Sequence, residues 1–128
     1  IRSLEKDENY HLIYKRSIYA NYSLSNLHFG LLEDLIKTGI KNGSKIVLVQ
    51  LPIEEKMRLL QKQMVGNKFD NALQKLSTKH KIQVLDLRDR KEFEFSDLNH
   101  LSFKGCKDLT TTVLNPLIHT MLTNETSN

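Results

Sequence analysis

The sequence predicts an α/β domain built on a short, incomplete parallel sheet. Two apolar runs, "KIVLVQLP" at 45–52 and "IQVLDL" at 82–87, are short and rich in β-branched residues, the pattern of buried parallel strands. Stripes of apolar residues at spacings of three and four surround them, the pattern of helices lying on a sheet. The order helix, strand, helix, helix, strand, loop, helix is the one that right-handed crossovers impose on parallel strands. At 128 residues the chain has the length of one domain.

Residues 1–22 fit a helix or a strand alike. Leu12, Ile13 and Ile18, with Tyr10, Tyr14, Tyr19 and Tyr22, give them a half-apolar surface that we read as packing against the domain. Residues 24–42 predict an amphipathic helix, with Leu24, Leu27, Leu31, Leu35 and Ile36 on one stripe. Ser23 or Ser25 caps its start and Gly43 closes its end. The first strand follows, centred on Ile46–Val49 and ended by Pro52. Ile53, Met57, Leu60 and Met64 mark the next helix, which Gly66 and Asn67 break. Phe69, Ala72, Leu73 and Leu76 mark a third helix over 68–80, and the second strand follows it. A charged loop then leads to "FSDLNHLSFKG" at 95–105. Ser102 caps a last helix whose apolar face is Phe103, Cys106, Leu109, Val113, Leu117 and Met121. Pro116 should kink that helix or end it early. Residues 123–128 are polar and expected to fray.

Two strands fall short of the three usually needed for an independent sheet. Either residues 1–22 add a strand, or further strands lie outside this sequence. The chain opens on Ile1 rather than Met, which also predicts a longer parent and removes any meaning from the lack of a visible signal peptide. The domain is therefore expected to be 1–128 as a single unit or the C-terminal portion of a larger one.

Composition bounds the function. With 39% apolar and 27% charged residues the chain is globular in character. A net charge of +4, spread along the sequence, leaves no basic stripe of the kind that binds nucleic acid. No apolar run has the length of a membrane span. The single cysteine, Cys106, rules out an internal disulfide and is compatible with the cytoplasm or with the bacterial cell envelope. It reads as a buried core thiol. The histidines His11, His28, His80 and His119 do not pair at metal-ligand spacing, and no glycine-rich phosphate loop is present. No metal or organic cofactor is expected. Glu54 and Glu55 follow the strand-ending proline, where acidic residues suit the first turn of a helix.

The informative pair is Asp97 and His100. Open parallel sheets build their sites beyond the carboxyl ends of the strands, and the loop after 82–87 leaves from that edge. A carboxylate three residues before an imidazole in a turn accepts the Nδ1 proton. That fixes the tautomer and leaves Nε2 as a general base. The same residues also suit a plain capped turn, since Asp97 and Asn99 are turn formers and Ser102 is a helix cap.

The block "FSDLNHLSFKG" resembles the last conserved block of the SGNH/GDSL hydrolases, Asp-x-x-His-Leu-x-x-x-Gly before a C-terminal helix. The layout over roughly 24–120 is similar too: a strand ending near proline, helices, a strand, then the block. The resemblance implies a flavodoxin-like three-layer fold, in which Asp97 orients His100 and His100 acts as base in hydrolysis or transfer of acyl esters. The implied substrate is an O-acylated carbohydrate, a cell-envelope polymer or a lipid.

Two family blocks have no counterpart. The Gly-Asp-Ser nucleophile block is missing, and Ser3, Ser17, Ser23, Ser25, Ser44, Ser77, Ser96, Ser102 and Ser127 lack its context. The Gly-x-Asn-Asp block of the oxyanion hole is missing too, with Asn21 and Asn26 as its nearest echoes. The expectation is a C-terminal part of an SGNH-like protein, inactive alone, whose serine lies outside this chain. The alternative is a non-catalytic α/β domain that binds a protein or a glycan.

Overall fold

The computed structural model describes residue 9 and residues 12–123. Tyr10, His11 and the tail beyond Thr123 lie outside the described residues. Helix α1 spans Asn26–Lys41, strand β1 Val47–Gln50, α2 Glu55–Met64, α3 Lys68–His80, β2 Gln83–Asp86 and α4 Phe103–Leu109. A π-helical turn, Thr110–Leu114, joins α4 to α5, Asn115–Thr123. The fold is mixed α/β, and among the described residues its sheet has two strands. The strands run parallel, with Val47 opposite Gln83 and Gln50 opposite Asp86. No strand lies in the described part of 1–22. It turns through a π-helical segment at Tyr14–Ile18 instead.

The chain ends its helices as its residues dictate. Ser25 caps α1 by accepting from the His28 amide at 3.2 Å. At the other end Gly43 has φ +75°, its amide donates to Ile40, and the Ser44 amide donates to Gly39. This is the paired closure that a left-handed glycine permits. Helix α3 closes in the same way, but on Lys81 with φ 53°. A side chain is strained in that conformation by about 1–2 kcal/mol. Ser77, buried in α3, adds a 2.6 Å bond from Oγ to the Ile82 carbonyl.

Pro116 does not end the last helix. The π-turn before it carries Asn115 N–H to Thr110 O, a five-residue step. Such a step leaves one carbonyl without an amide, and proline has none to supply. Thr110, Thr111 and Thr112 each donate through Oγ1 to the carbonyl four residues back, a bond that bends helices.

Alternation along the strands sends Val49 and Leu85 to one face of the sheet. There they pack with buried Leu87, Phe93 and Leu109 and with Leu101, Val113 and Leu114. Helix α3 contacts β2 and α1, the latter with Phe29 edge-to-face against Phe69, 5.6 Å between centroids. A separate cluster joins buried Met57 and Leu60 of α2 to Leu98, with Tyr19 and Met64 against it.

Three expectations are corrected. Cys106 is exposed rather than buried, and Phe103, expected on the buried face, is 89% exposed. The first turn of α4 sits against backbone at Glu94, which leaves its outer residues in solvent. The α1 stripe also divides. Ile36 is buried, but Leu27, Leu31 and Leu35 face outward, because Phe29 and Glu33 turn a different side of the helix toward α3. No described helix is long and apolar enough to cross a membrane.

Candidate active site

The loop 95–101 is closed by its own polar groups. Phe95 and Leu101 form an antiparallel bridge. The His100 carbonyl accepts the Ser96 amide at 2.9 Å and the Ser96 hydroxyl at 3.2 Å. Asp97 Oδ1 accepts the amides of Asn99 at 2.8 Å and His100 at 2.9 Å. The same carboxylate reaches His100 Nδ1, at 2.9 Å from Oδ1 and 3.0 Å from Oδ2. The spacing in the sequence thus brings Asp97 and His100 together as expected.

An ionised carboxylate only accepts hydrogen bonds, so Nδ1 must carry the proton. Burial pushes the Asp97 carboxyl upward. The amides of Asn99 and His100 and the imidazole together outweigh it and hold the group below the ordinary carboxylate range. In the neutral ring Nε2 then keeps its lone pair. The His100 side chain is 75% exposed, so Nε2 is open to an incoming proton donor.

Apolar anchors hold the loop on both sides of the imidazole. Leu98 is buried against Met57 and Leu60 of α2. Leu101, partly buried, packs into the cluster of Leu87, Phe93 and Leu109. A fully buried leucine contributes about 1.5–3 kcal/mol and a partly buried one less, so the loop is fixed to two separate parts of the domain. Ser102 follows as the cap of α4. Its Oγ accepts the Gly105 amide at 3.0 Å and donates to Glu94 Oε1 at 2.6 Å, while its amide donates to the Glu94 carbonyl at 2.9 Å. Gly105 is buried directly over Glu94. A Cβ there would stand 2.0 Å from the Glu94 carbonyl oxygen. The glycine of the block is thus a requirement of close approach between helix and loop.

No serine hydroxyl among the described residues is hydrogen-bonded to His100 through its ring. Ser96 is engaged by the His100 carbonyl, Ser102 by Glu94 and Gly105, and Ser77 by Ile82. Ser3 and Ser127 lie outside the described residues. Asn21 and Asn26 make no hydrogen bond to His100. Glu54 caps α2 by accepting from the Lys56 amide, as its position after Pro52 suggests, and Glu55 opens that helix.

The structure adds a hollow that the sequence does not reveal. It lies beyond the carboxyl ends of both strands and has a volume of about 250 Å³. Gln50 ends β1 on its floor. Arg58 and Gln61 come from α2, Phe69 and Asp70 from α3, Arg88 from the loop after β2, and Tyr19 and Tyr22 from the N-terminal segment. Arg88 is gripped by Asp86 at 2.6 and 2.8 Å, which lowers the Asp86 carboxyl, and lies 2.9 Å from Asp70. Arg58 and Lys62 bind Asp89, and Arg58 is the larger cause that holds this carboxyl down at about 2. His100 does not line the hollow. The two are linked through the cluster of Met57, Leu60 and Leu98, against which Tyr19 packs. The sequence signal for the hollow is the "RDRK" loop, which reads simply as charged.

No protein-family model, curated protein or solved structure matches the chain.

Proposed function

We propose that this chain supplies the acid–imidazole half of a serine esterase or O-acyltransferase site of the SGNH type. His100 is the general base and later the acid, and Asp97 orients it. The carrying observation is the bond from His100 Nδ1 to the Asp97 carboxylate, with the ring's other side open to solvent. In this reading a serine outside the chain approaches Nε2 and gives up its proton as it attacks the acyl carbon. The imidazolium formed is stabilised by Asp97, and it returns the proton to the departing alkoxide. Acyl esters of a carbohydrate, a cell-envelope polymer or a lipid are the substrate class. The two strands would belong to a flavodoxin-like three-layer sheet. Packing of α3 on β2, and of the C-terminal helices on Val49 and Leu85, supports that layout.

A second reading, a non-catalytic α/β domain that binds a protein or a glycan, is favoured by the lack of any serine hydroxyl bonded to the His100 ring among the described residues. The test is hydrolysis of p-nitrophenyl acetate by the full-length gene product beside His100→Ala and Asp97→Asn. The carboxamide introduced by Asp97→Asn would still accept from the backbone, but it would present a donor to Nδ1 and select the wrong tautomer. Loss of about 10⁴ in kcat is expected in the Asp97→Asn protein. A folded full-length protein whose rate is unchanged by both substitutions would sink the dyad and leave the binding domain.

A further inference from the structure

We propose that the hollow at the carboxyl ends of β1 and β2 is a binding subsite for a single neutral sugar ring. Its size decides against the larger candidates. At about 250 Å³ it falls below the roughly 300–1,000 Å³ of pockets that enclose drug-sized ligands, so it suits one ring rather than a lipid chain.

Its electrostatics decide against an anion. Arg88 already faces Asp86 and Asp70, and Arg58 faces Asp89. Both guanidinium charges are matched by carboxylates before any ligand arrives, so a phosphate or carboxylate would have to compete with them. A hydroxyl carries no charge and both donates and accepts, so it fits between paired groups without breaking them.

The lining supplies what a polyhydroxylated ring needs. Tyr19, Tyr22 and Phe69 provide aromatic surface, whose negative faces suit the C–H faces of a pyranose. Gln50 and Gln61 contribute amides, with Gln61 Nε2 held by the Tyr19 hydroxyl at 3.1 Å. The Gln50 side chain makes no hydrogen bond to any described residue. Asp70 Oδ1 is buried at the wall of the hollow, 2.9 Å from Arg88 Nη2, and keeps that guanidinium in place.

That this ring carries the acyl ester rests on the dyad reading. The binding itself does not. The test is an NMR titration of the ¹⁵N-labelled chain with glucose and N-acetylglucosamine, with glycerol and inorganic phosphate as controls. Saturable shifts of the Gln50 and Gln61 side-chain amides are expected with at least one sugar, and not with glycerol or phosphate. Gln61→Met should weaken that sugar about fivefold, the effect of one hydrogen bond, with the rest of the spectrum unchanged. Tyr19→Phe, which keeps the ring against the cluster of Met57, Leu60 and Leu98 but frees Gln61, should weaken it by a similar factor. Neither sugar shifting these amides by about 100 mM would overturn the proposal, as would equal shifts from glycerol or stronger ones from phosphate. His100→Ala should leave sugar binding intact. Sugar binding together with ester hydrolysis indifferent to His100 would remove the dyad and keep the subsite.

Discussion

Gly105→Ala tests the close approach of α4 to the backbone at Glu94, which leads into the loop of His100. The added Cβ would lie 2.0 Å from the Glu94 carbonyl oxygen and 3.1 Å from its carbon. Ordinary C···O contacts begin near 3.3 Å, so the start of α4 and the Glu94 backbone must part by roughly 1.3 Å. Nothing flexible can yield, because the obstacle is backbone. The same carbonyl accepts the Ser102 amide at 2.9 Å, and a displacement of that size breaks the bond. Overpacking costs about 1–3 kcal/mol and the lost bond about 1, while alanine returns at most about 1 through helix propensity. The net is a destabilisation of roughly 2 kcal/mol, read from urea unfolding by circular dichroism. Two other glycines serve as controls. Gly30 in α1 has open space around it, so Gly30→Ala should stabilise by about 0.5–1 kcal/mol. At Gly39 the added atom meets only the Cδ1 end of Ile46 at 2.7 Å, which can swing aside, so its alanine should be near neutral. If Gly105→Ala unfolds within about 0.5 kcal/mol of the parent, the close approach of α4 to Glu94 is not what the glycine is for.

The remaining expectations concern strain, anchoring and acid. Lys81→Gly should stabilise the chain by about 1 kcal/mol in the same unfolding assay, since it removes a left-handed side chain and keeps the closure of α3. A destabilisation would show that the lysine side chain contributes more than its backbone costs. Leu98→Ala should cost about 3 kcal/mol and broaden the His100 ring signals in NMR, because the loop loses its anchor on α2. Unchanged ring signals would mean that the turn holds the imidazole without help. Glu33 is held at about 2, chiefly by Lys79 and His80, and Asp89 at about 2 by Arg58. Their folded-state values lie below the ordinary 4.5 and 3.8, so the stability they lend is complete above those values and lost as pH falls through about 2. Urea midpoints should therefore hold steady down to about pH 5 and fall below it, with a shallower fall in Glu33→Gln. A decline already under way between about pH 7 and 5 would contradict this.

Local chemistry makes much of the fold legible. The β-branched runs, Ser25, Gly43, Gly66 and Ser102 each mark what the structure places there, because each acts through its own backbone or its nearest neighbours. Asp97 and His100 are legible for the same reason: their bond closes within one turn. Longer-range features are not. The apolar period of α1 shows that Leu27, Leu31, Leu35 and Ile36 lie near one another on the helix. It does not show which side α3 will cover, and the outer leucines stay in solvent. Phe103 and Cys106 fall on the opposite side from their expected one because the approach of α4 to Glu94 is a tertiary fact. The hollow is lined from five separate segments, so no local window of sequence contains it. Pro116 marks a disturbance, as its chemistry requires, but nothing local to it announces the three threonines and the π-turn that absorb it.

Asp97 Oδ1 takes three donors at once, two from the backbone and one from the imidazole. The ring's orientation is therefore part of the turn and not a separate choice of rotamer. Its rotor freedom, worth on the order of 1 kcal/mol, is given up when the loop folds and not again when something meets it. A partner arriving at Nε2 finds the imidazole already aimed, which by that amount favours association about fivefold over a freely turning histidine. The segment 94–105 is by the same token portable. Set on another scaffold that offers sockets for Leu98 and Leu101 and backbone space over Glu94 for Gly105, it should bring its acid–imidazole geometry with it.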